Sequence, residues 1–574
     1  DFRPDLILSQ RRLAIIDLSA GGHEPMTVAG EQLWLTFNGE IYNYLEIREE
    51  LRAKGYQFRT ECDAEVILQA YDCWGVDCLS RFIGMFAFVL WDQQRQRVWC
   101  VRDRLGIKPF YYAVVNDRFA FASEIKALKP LIPEACTPDM SQLFWFLQYG
   151  RVYNPPHTFF EGVRELPGGH YLLIENGRVS DPIRWWDVDI EQARATYNYN
   201  DIDGEFLRIL RDSVALRLRA DVPVGTCLSG GLDSSTIVAL ATAGLDGGSM
   251  NSFSAVYPVK GLDESRYVDI VAQRYHTIEH RVTPDPTNFL DRLAKITWHQ
   301  DIPTATSGVY TQNFVMQLAH GSVTVLLDGQ GADELMAGYL SYVVYHLNDL
   351  RRRNFGKWVG EQAAFATGVW PRFNAQLNAR EFAARVQQYF TGNRPLLQPQ
   401  YAQAAQAREA EALPLEPKGI DSLNRHLYKA LLRESIPALL HYEDRNSMAY
   451  GIEARVPFLD HRLVEFALAV PAEQKIQGAD TKVFMRRALK DVLPPEVSNR
   501  KDKLGYPTPF GQWLRGPLRG EVNSFLNDRV FKREWYDQAA VRALWQAHLS
   551  EQRNAERTIY SLITADLWYS ALVA

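Results

Sequence analysis

The sequence predicts a chain of two parts: a sheet-rich α+β part over residues 1–190, then an α/β part over residues 200–574 built on a doubly wound parallel sheet and ending in helices. Three observations predict it. Short apolar or alternating runs broken by Gly, Pro, Asn and Asp crowd the first part and read as strands. Past a polar stretch at 192–203 (QARATYNYNDID) the period turns helical, with Phe206, Leu210, Val214 and Leu218 recurring every four residues as one apolar stripe. Strands and helices then alternate, and that βαβαβ order implies a parallel sheet whose ligand lies at the carboxyl ends of its strands.

Element by element, the first part offers strands at 33–37, 85–91, 98–101, 110–114 and 170–174, interrupted by a helix at 64–71. The polar stretch at 192–203 reads as the linker. The second part offers strands at 222–228, 252–256, 278–282 and 324–327, with helices at 234–243 and 267–272, and is mostly helical from about residue 340. The run 398–412 (QPQYAQAAQAREAEA) is polar enough to be mobile, and there is no internal repeat.

Composition narrows the function classes. Lys plus Arg number 63 against 69 Asp plus Glu, a net charge of −6 with no long basic block, which argues against a nucleic-acid partner. The longest apolar run, Phe82 to Trp91, has ten residues, where a membrane helix needs about 20. No charged segment followed by an apolar one opens the sequence, and Cys62, Cys73, Cys78, Cys100, Cys136 and Cys227 show neither CxxC pairs nor zinc spacing. A reduced, cytoplasmic protein is the expectation.

The strand at 222–228 runs straight into Ser229-Gly230-Gly231-Leu232-Asp233-Ser234-Ser235 and then a helix. Two glycines let backbone approach a ligand closely, and serine hydroxyls with the free N–H groups of a helix start surround an anion. No lysine of the GxxxxGK[ST] kind is present. A Gly-Gly turn alone is ordinary, but the whole string at a strand-to-helix junction reads as a phosphate cradle. It resembles the pyrophosphate loop of the N-type ATP pyrophosphatases, in the form seen in glutamine-dependent asparagine synthetases. RLAIID (12–17), FNGEIYN (37–43), RDRLGIKPFYY (102–112), FASEIKAL (121–128), LLDGQGADELMAGY (326–339) and GIEARVPFLD (451–460) stand in that family's order, so the resemblance spans nearly the full length.

For the first part the resemblance implies an αββα sandwich of the N-terminal-nucleophile glutaminase kind, which hydrolyses a side-chain amide through thiol attack and an oxyanion. It implies that Asn38 and Gly39 form the oxyanion hole, that Arg12 takes the glutamine α-carboxylate through its planar fork, and that Glu40 and Asp63 hold the α-ammonium. Singly, Asn38-Gly39 also reads as a hairpin turn, Asp63 as a helix cap and Arg12 as a surface residue. The family's nucleophile is a processed N-terminal cysteine. This sequence starts with Asp1 and none of its cysteines is terminal, so the expectation is a chain that begins inside the glutaminase domain, with some tens of residues preceding it. Cys62 and Cys100 read as buried small hydrophobes.

For the second part the resemblance implies adenylation of a carboxylic acid by ATP, then capture by ammonia. Asp233 and Asp333 would hold Mg2+ and Lys482 would stabilise the phosphate charge. Nucleotide contacts are expected at Cys227, Ser229, Gly230, Gly231, Leu232, Asp233, Ser234, Ser235, Val256, Asp328 and Gly329. Asp333-Glu334 as a helix-start acidic pair and Lys482 as an exposed helical lysine remain open. Relatives proper read SGEGSDE where this chain reads Asp328-Gly329-Gln330-Gly331-Ala332-Asp333-Glu334, and the neutral Gln330 weakens an aspartate-specific assignment because an amide cannot accept a proton there. Gln330, Glu334, Arg445 and Glu453 are the acceptor-pocket candidates, with 442–449 and Arg455 shaping that pocket. Ammonia would cross a largely apolar tunnel between the halves, near RDRLGIKPFYY, FASEIKAL and GIEARVPFLD, while Arg102, Asp103 and Glu124 also read as structural ion pairs. The expected partners are glutamine, ATP and a carboxylic acid, with a homodimer as the family's habit. The alternatives weighed are the same chemistry on a sugar acid or secondary metabolite, a PP-loop RNA-modifying enzyme, and a glutaminase-inactive binding homologue.

Overall fold

The computed structural model describes residues 6–28, 30–245, 248–259, 261–368, 395–408, 419–501 and 508–573. Its first part carries two antiparallel sheets. Strands β1 (Met26–Val28), β2 (Leu33–Ile41), β3 (Gly84–Asp92), β4 (Arg97–Arg102), β8 (His170–Glu175) and β10 (Ile183–Arg184) lie side by side in that order, with β9 (Arg178–Val179) added on β8. A smaller sheet has the order β6 (Arg118–Ala122), β5 (Tyr111–Val115), β7 (Arg164–Glu165). Alternation in β3 and β4 sorts the side chains: Ala87, Val89 and Cys100 face the small sheet and pack on Phe110, Tyr112 and Leu166. Phe86, Phe88, Leu90, Trp99 and Val101 face the opposite way, onto helices Tyr44–Ala53 and Asp63–Trp74.

The outer face of the small sheet, Tyr111 and Ala113, is covered by Leu143 and Phe146 of helix Met140–Tyr149 together with Phe289, Tyr310, Tyr560 and Trp568 from the second part. The αββα sandwich expected from the sequence is thus present, with its last helical layer drawn from both halves of the chain. The halves share continuous cores.

The second part centres on a five-stranded parallel sheet in the order β13 (Ile278–Val282), β12 (Asn251–Ala255), β11 (Val224–Cys227), β14 (Val325–Leu327), β15 (Glu453–Arg455). From β11 the chain winds outward to β12 and β13, then returns to the other side of β11 through helices Phe289–Gln300 and Gly308–Ala319. The direction of winding therefore reverses between β11 and β14, and a crevice opens there at the strand ends. Strand β15, inside GIEARVPFLD, has no strand signal: Glu453-Ala454-Arg455 is fully buried yet two-thirds charged.

Two polar stretches are more ordered than their composition suggests. The stretch at 192–203, read as the linker, is packed against the second part. Asp189 accepts hydrogen bonds from Glu191 N and Gln192 N to start helix Ile190–Thr196, and Tyr197 and Tyr199 pack on the Phe466 ring. The described portion of 398–412 forms helix Pro399–Arg408, and its Ala405, with Leu396 and Leu397 just before, joins the core around helix Met140–Tyr149. Residues 409–412 lie outside the described residues. Among the described residues no helix is long and apolar enough to cross a membrane.

Candidate active site

The crevice between β11 and β14 holds a cavity of about 440 Å³. Its wall includes Cys227, Ser229, Asp233 and Ser234 from the first loop and helix, Ala255 from the end of β12, and Asp328, Gly329, Gln330, Asp333 and Glu334 from the loop after β14. Helix Leu232–Ala243 starts at the wall with Gly231 as an extended N-cap that carries no side-chain cap, leaving its first N–H groups for a ligand. Within the loop, Ser229 Oγ lies 3.1 Å from Ser234 Oγ and accepts from Gly231 N at 3.4 Å. Gly230 has φ +71°, and a Cβ there would lie 2.6 Å from Cβ of Tyr267, so only glycine fits on both counts.

Lys482 closes the constellation. Its Nζ lies 2.5 Å from Oδ1 of Asp233 and 2.6 Å from Oδ1 of Asp333. It is buried, with φ +55°, ahead of helix Val483–Ala488, which removes the reading of it as an exposed helical lysine. Gly338 makes the approach possible, since a Cβ there would sit 1.9 Å from Asp333 Oδ1 and 2.3 Å from Lys482 Cε. Glu334 accepts from Ser435 Oγ at 2.6 Å and Tyr339 Oη at 3.1 Å, and burial raises its pKa.

Other expected residues sit elsewhere. Ser235 is fully buried beneath the loop, and Leu232 packs into the core. Val256 donates its N–H to Val282 O, while its neighbour Ala255 reaches the cavity. Arg445 and Glu453 are corrected as acceptor-pocket residues, because both are turned toward the first part. Arg445 donates to Ser123 O and lies 3.8 Å from Glu124 and 3.9 Å from Asp301. Glu453 pairs with Arg455 at 2.8 Å and Lys108 at 3.7 Å. A buried carboxylate needs a cation, and the nearest ones are at the junction.

In the first part, Asn38-Gly39 lies inside β2 rather than in a hairpin turn. Asn38 Nδ2 donates to Ser123 Oγ at 3.3 Å, and a Cβ on Gly39 would lie 2.0 Å from Met85 O across the sheet. Arg12 donates to the carbonyls of Asp17 and Ile16 and to Cys62 Sγ at 3.4 Å. Asp63 opens its helix without capping it. Its Oδ2 instead accepts from Ile41 N at 2.9 Å, and burial lifts its pKa to about 6. Glu40 is buried near Asp63, burial and that carboxylate raise its pKa, and its Oε1 lies 3.6 Å from Arg455 Nη2. One of the two carboxylates expected to hold an ammonium thus faces a guanidinium of the second part. Burial pushes the Cys62 and Cys100 thiols up, as fits core residues.

The three motifs expected near an apolar tunnel do meet at the junction, but charges line it. Lys108 of RDRLGIKPFYY lies 3.4 Å from Asp444, and Ile125 N of FASEIKAL donates to Asp301 Oδ2 at 2.8 Å. Arg102 is a structural residue of the first part, paired to Glu165 at 2.7 Å, and Asp103 accepts from the N–H groups of Leu105, Ile107 and Lys108. Of the 442–449 segment expected to shape the acceptor pocket, Tyr442 lines the cavity and Glu443 is buried near Asp328.

An antiparallel sandwich fused to a parallel sheet, with an anion loop and two carboxylates around one ammonium at the switch point, defines a two-site protein joining an amide-handling half to a nucleotide-handling half. The chain belongs to the asparagine synthase family: that family is matched over residues 205–570, and a glutamine amidotransferase domain over residues 2–186. Asparagine synthetase [glutamine-hydrolyzing] 1 of Bacillus subtilis is 30% identical, over 98% of this chain and 89% of its own. A putative asparagine synthetase [glutamine-hydrolyzing] of Mycobacterium tuberculosis is 33% identical over 99% and 89%. Amidase chry2 of Gibberella zeae is 26% identical over 90% and 83%.

Proposed function

We propose that the chain is a glutamine-dependent, ATP-driven ligase that turns a carboxylic acid into its amide and releases AMP and pyrophosphate. Supporting this reading above all is the meeting of Asp233, Asp333 and Lys482 at the mouth of the Ser229–Ser235 loop. In it a carboxylate oxygen of the acid attacks the α-phosphorus of ATP, the α–β phosphoanhydride breaks, and pyrophosphate leaves into the loop. The N–H groups of the helix start and the hydroxyls of Ser229 and Ser234 receive its charge. Lys482, held between two carboxylates, aims its charge at the phosphates. Asp233 and Asp333, whose carboxylate oxygens meet at the Lys482 ammonium, would hold Mg2+, a cation that favours hard oxygen ligands. When bound, Mg2+ supplies neutralisation of the leaving group.

The nitrogen comes from glutamine. Arg12 takes its α-carboxylate, Asp63 and Glu40 its ammonium, and Asn38 with Gly39 N–H the oxyanion formed when an N-terminal cysteine attacks the amide. Gln330 favours a second reading of the acceptor, an acid other than aspartate such as a sugar acid or secondary metabolite, since the family's glutamate is replaced at the cavity wall. Pyrophosphate release from ATP across a panel of acids, aspartate included, tests both. Acid-dependent release is expected, falling at least about 100-fold in Asp233→Asn, and turnover at the original rate in that variant overturns the reading.

A further inference from the structure

A second cavity, of about 330 Å³, opens where the two parts of the chain meet. Among the described residues it shares no wall residue with the nucleotide cavity. Residues between 104 and 187 supply one wall and residues between 428 and 437 the other. Its size is that of a small-molecule site, and much of its surface is apolar or aromatic, with Leu105 and Trp186 from the first part and Tyr428, Leu432 and Pro437 from the second.

The charges of this cavity do not balance. Asp187 is the one carboxylate among the described wall residues, and it is engaged: it accepts from Tyr428 Oη at 2.7 Å and Val188 N at 2.8 Å and pairs with Arg184 at 2.7 Å. Arg104 is buried and donates to the neutral carbonyls of Leu79, Ser80 and Phe82, while its Nε has no acceptor. Arg433 is half-buried, and no hydrogen bond or ion pair within the described residues reaches its guanidinium. Burial lowers the pKa of both, as it does for a cation held without a counter-charge. His170 on the same wall donates Nδ1–H to Gly168 O at 2.7 Å and burial lowers its pKa, so the ring is neutral and Nε2 is an acceptor. The backbone marks the same place. Ser435 N donates to Ala430 O, five residues back, at 3.0 Å, so Ala430–Glu434 is a π-helical turn between two α-helices. Such turns are rare and recur at functional sites. This one carries Leu432 and Arg433 on the cavity wall, and Ser435 at its end donates to Glu334 of the nucleotide cavity at 2.6 Å.

We propose that the junction cavity binds a small aromatic acid, with its carboxylate on Arg433 and its flat body among Trp186, Tyr428 and Leu432. The carboxylate supplies the missing counter-charge and matches the planar guanidinium fork, with Arg104 adding to the field. An N–H on the ring finds its acceptor in His170 Nε2. The occupant lies against the turn that ends at Ser435, so it is placed to act on the hydrogen bond that holds Glu334. Binding is independent of the ligase reading above.

The test is calorimetric titration of the full-length protein with three indoles that share a ring and differ in charge. Indole-3-acetate, the anion, is expected to bind with a Kd of about 0.1 mM or tighter. Tryptophol, neutral, and tryptamine, cationic, should bind at least about 10-fold more weakly. Arg433→Gln, at a half-exposed position, should melt like the parent and weaken indole-3-acetate by about 10-fold or more, with Arg433→Lys between the two. On binding, hydrogen exchange should slow in peptides spanning 184–187 and 428–437. Equal affinity for the three indoles overturns the assignment, as does undiminished binding in Arg433→Gln, protection confined to the Ser229–Ser235 loop, or no saturable binding of indole-3-acetate. None of these readouts involves ATP turnover, so their failure leaves the ligase reading standing.

Discussion

Glu24 shows what burial does to a single charge. It is 5% exposed, accepts from Phe37 N at 2.7 Å, and has Arg12 Nε no nearer than 3.8 Å, so burial lifts its pKa to about 8. Between the ordinary value of 4.5 and that value the folded chain holds a proton that the unfolded chain has released. Stability therefore falls as pH rises through that window, by at most about 1.4 kcal/mol per unit, and levels above it. Glu24→Gln keeps the acceptor for Phe37 and has no proton to lose. It should melt higher than the parent at pH 8 and close to it at pH 5. Gly338 is a steric counterpart. Gly338→Ala must move Asp333 or Lys482 by about 1 Å, and misplacement of that size costs on the order of 100-fold in rate. Pyrophosphate release should fall by about that factor while ATP-free melting changes little.

Among the elements, helix Ile436–Met448 does the most work, because it serves the cavity and the junction at once. Leu439 and Tyr442 reach the cavity, while His441, Asp444 and Arg445 face the first part. The His441 tautomer follows from its partners. Nε2 meets the carbonyl of Gln300 at 2.7 Å and must donate, so Nδ1 accepts from Tyr111 Oη at 3.1 Å, and burial keeps the ring neutral. The C-terminal helix Glu556–Trp568 is the second tie. Trp568 is fully buried, packs edge-on against Phe159 and Phe160 of the first part, and donates Nε1 to Asp301 O at 2.9 Å. Trp568→Ala should lower stability by about 3–5 kcal/mol, read as a lower urea midpoint at unchanged m.

For the molecule as a whole, shared cores and buried charges join the two halves, so the junction should govern stability. Asp301 is fully buried and holds Ile125 N, Lys126 at 3.1 Å and, more distantly, Arg445. Asp301→Ala leaves those groups undercompensated and should cost about 3–5 kcal/mol, with Asp301→Asn milder; calorimetry of both variants against the parent checks the order. The fold class, the parallel sheet and the Ser229–Ser235 loop were legible in the sequence, because period and turn residues are local properties of the chain, while Asp233 and Asp333 were singled out together only by the resemblance of their motifs to a family. Strand β15 was not, since its buried charged triplet carries no strand period, and neither were the partners of Arg445 and Glu453. Whether a buried charge faces substrate, a neighbouring carboxyl or the other half of the molecule depends on which cation or proton lies nearest after packing. Only the tertiary structure brings Lys108, Glu40 and Arg455 together with residues hundreds of positions away, and Coulomb energy in a dry interior is decided by those distances.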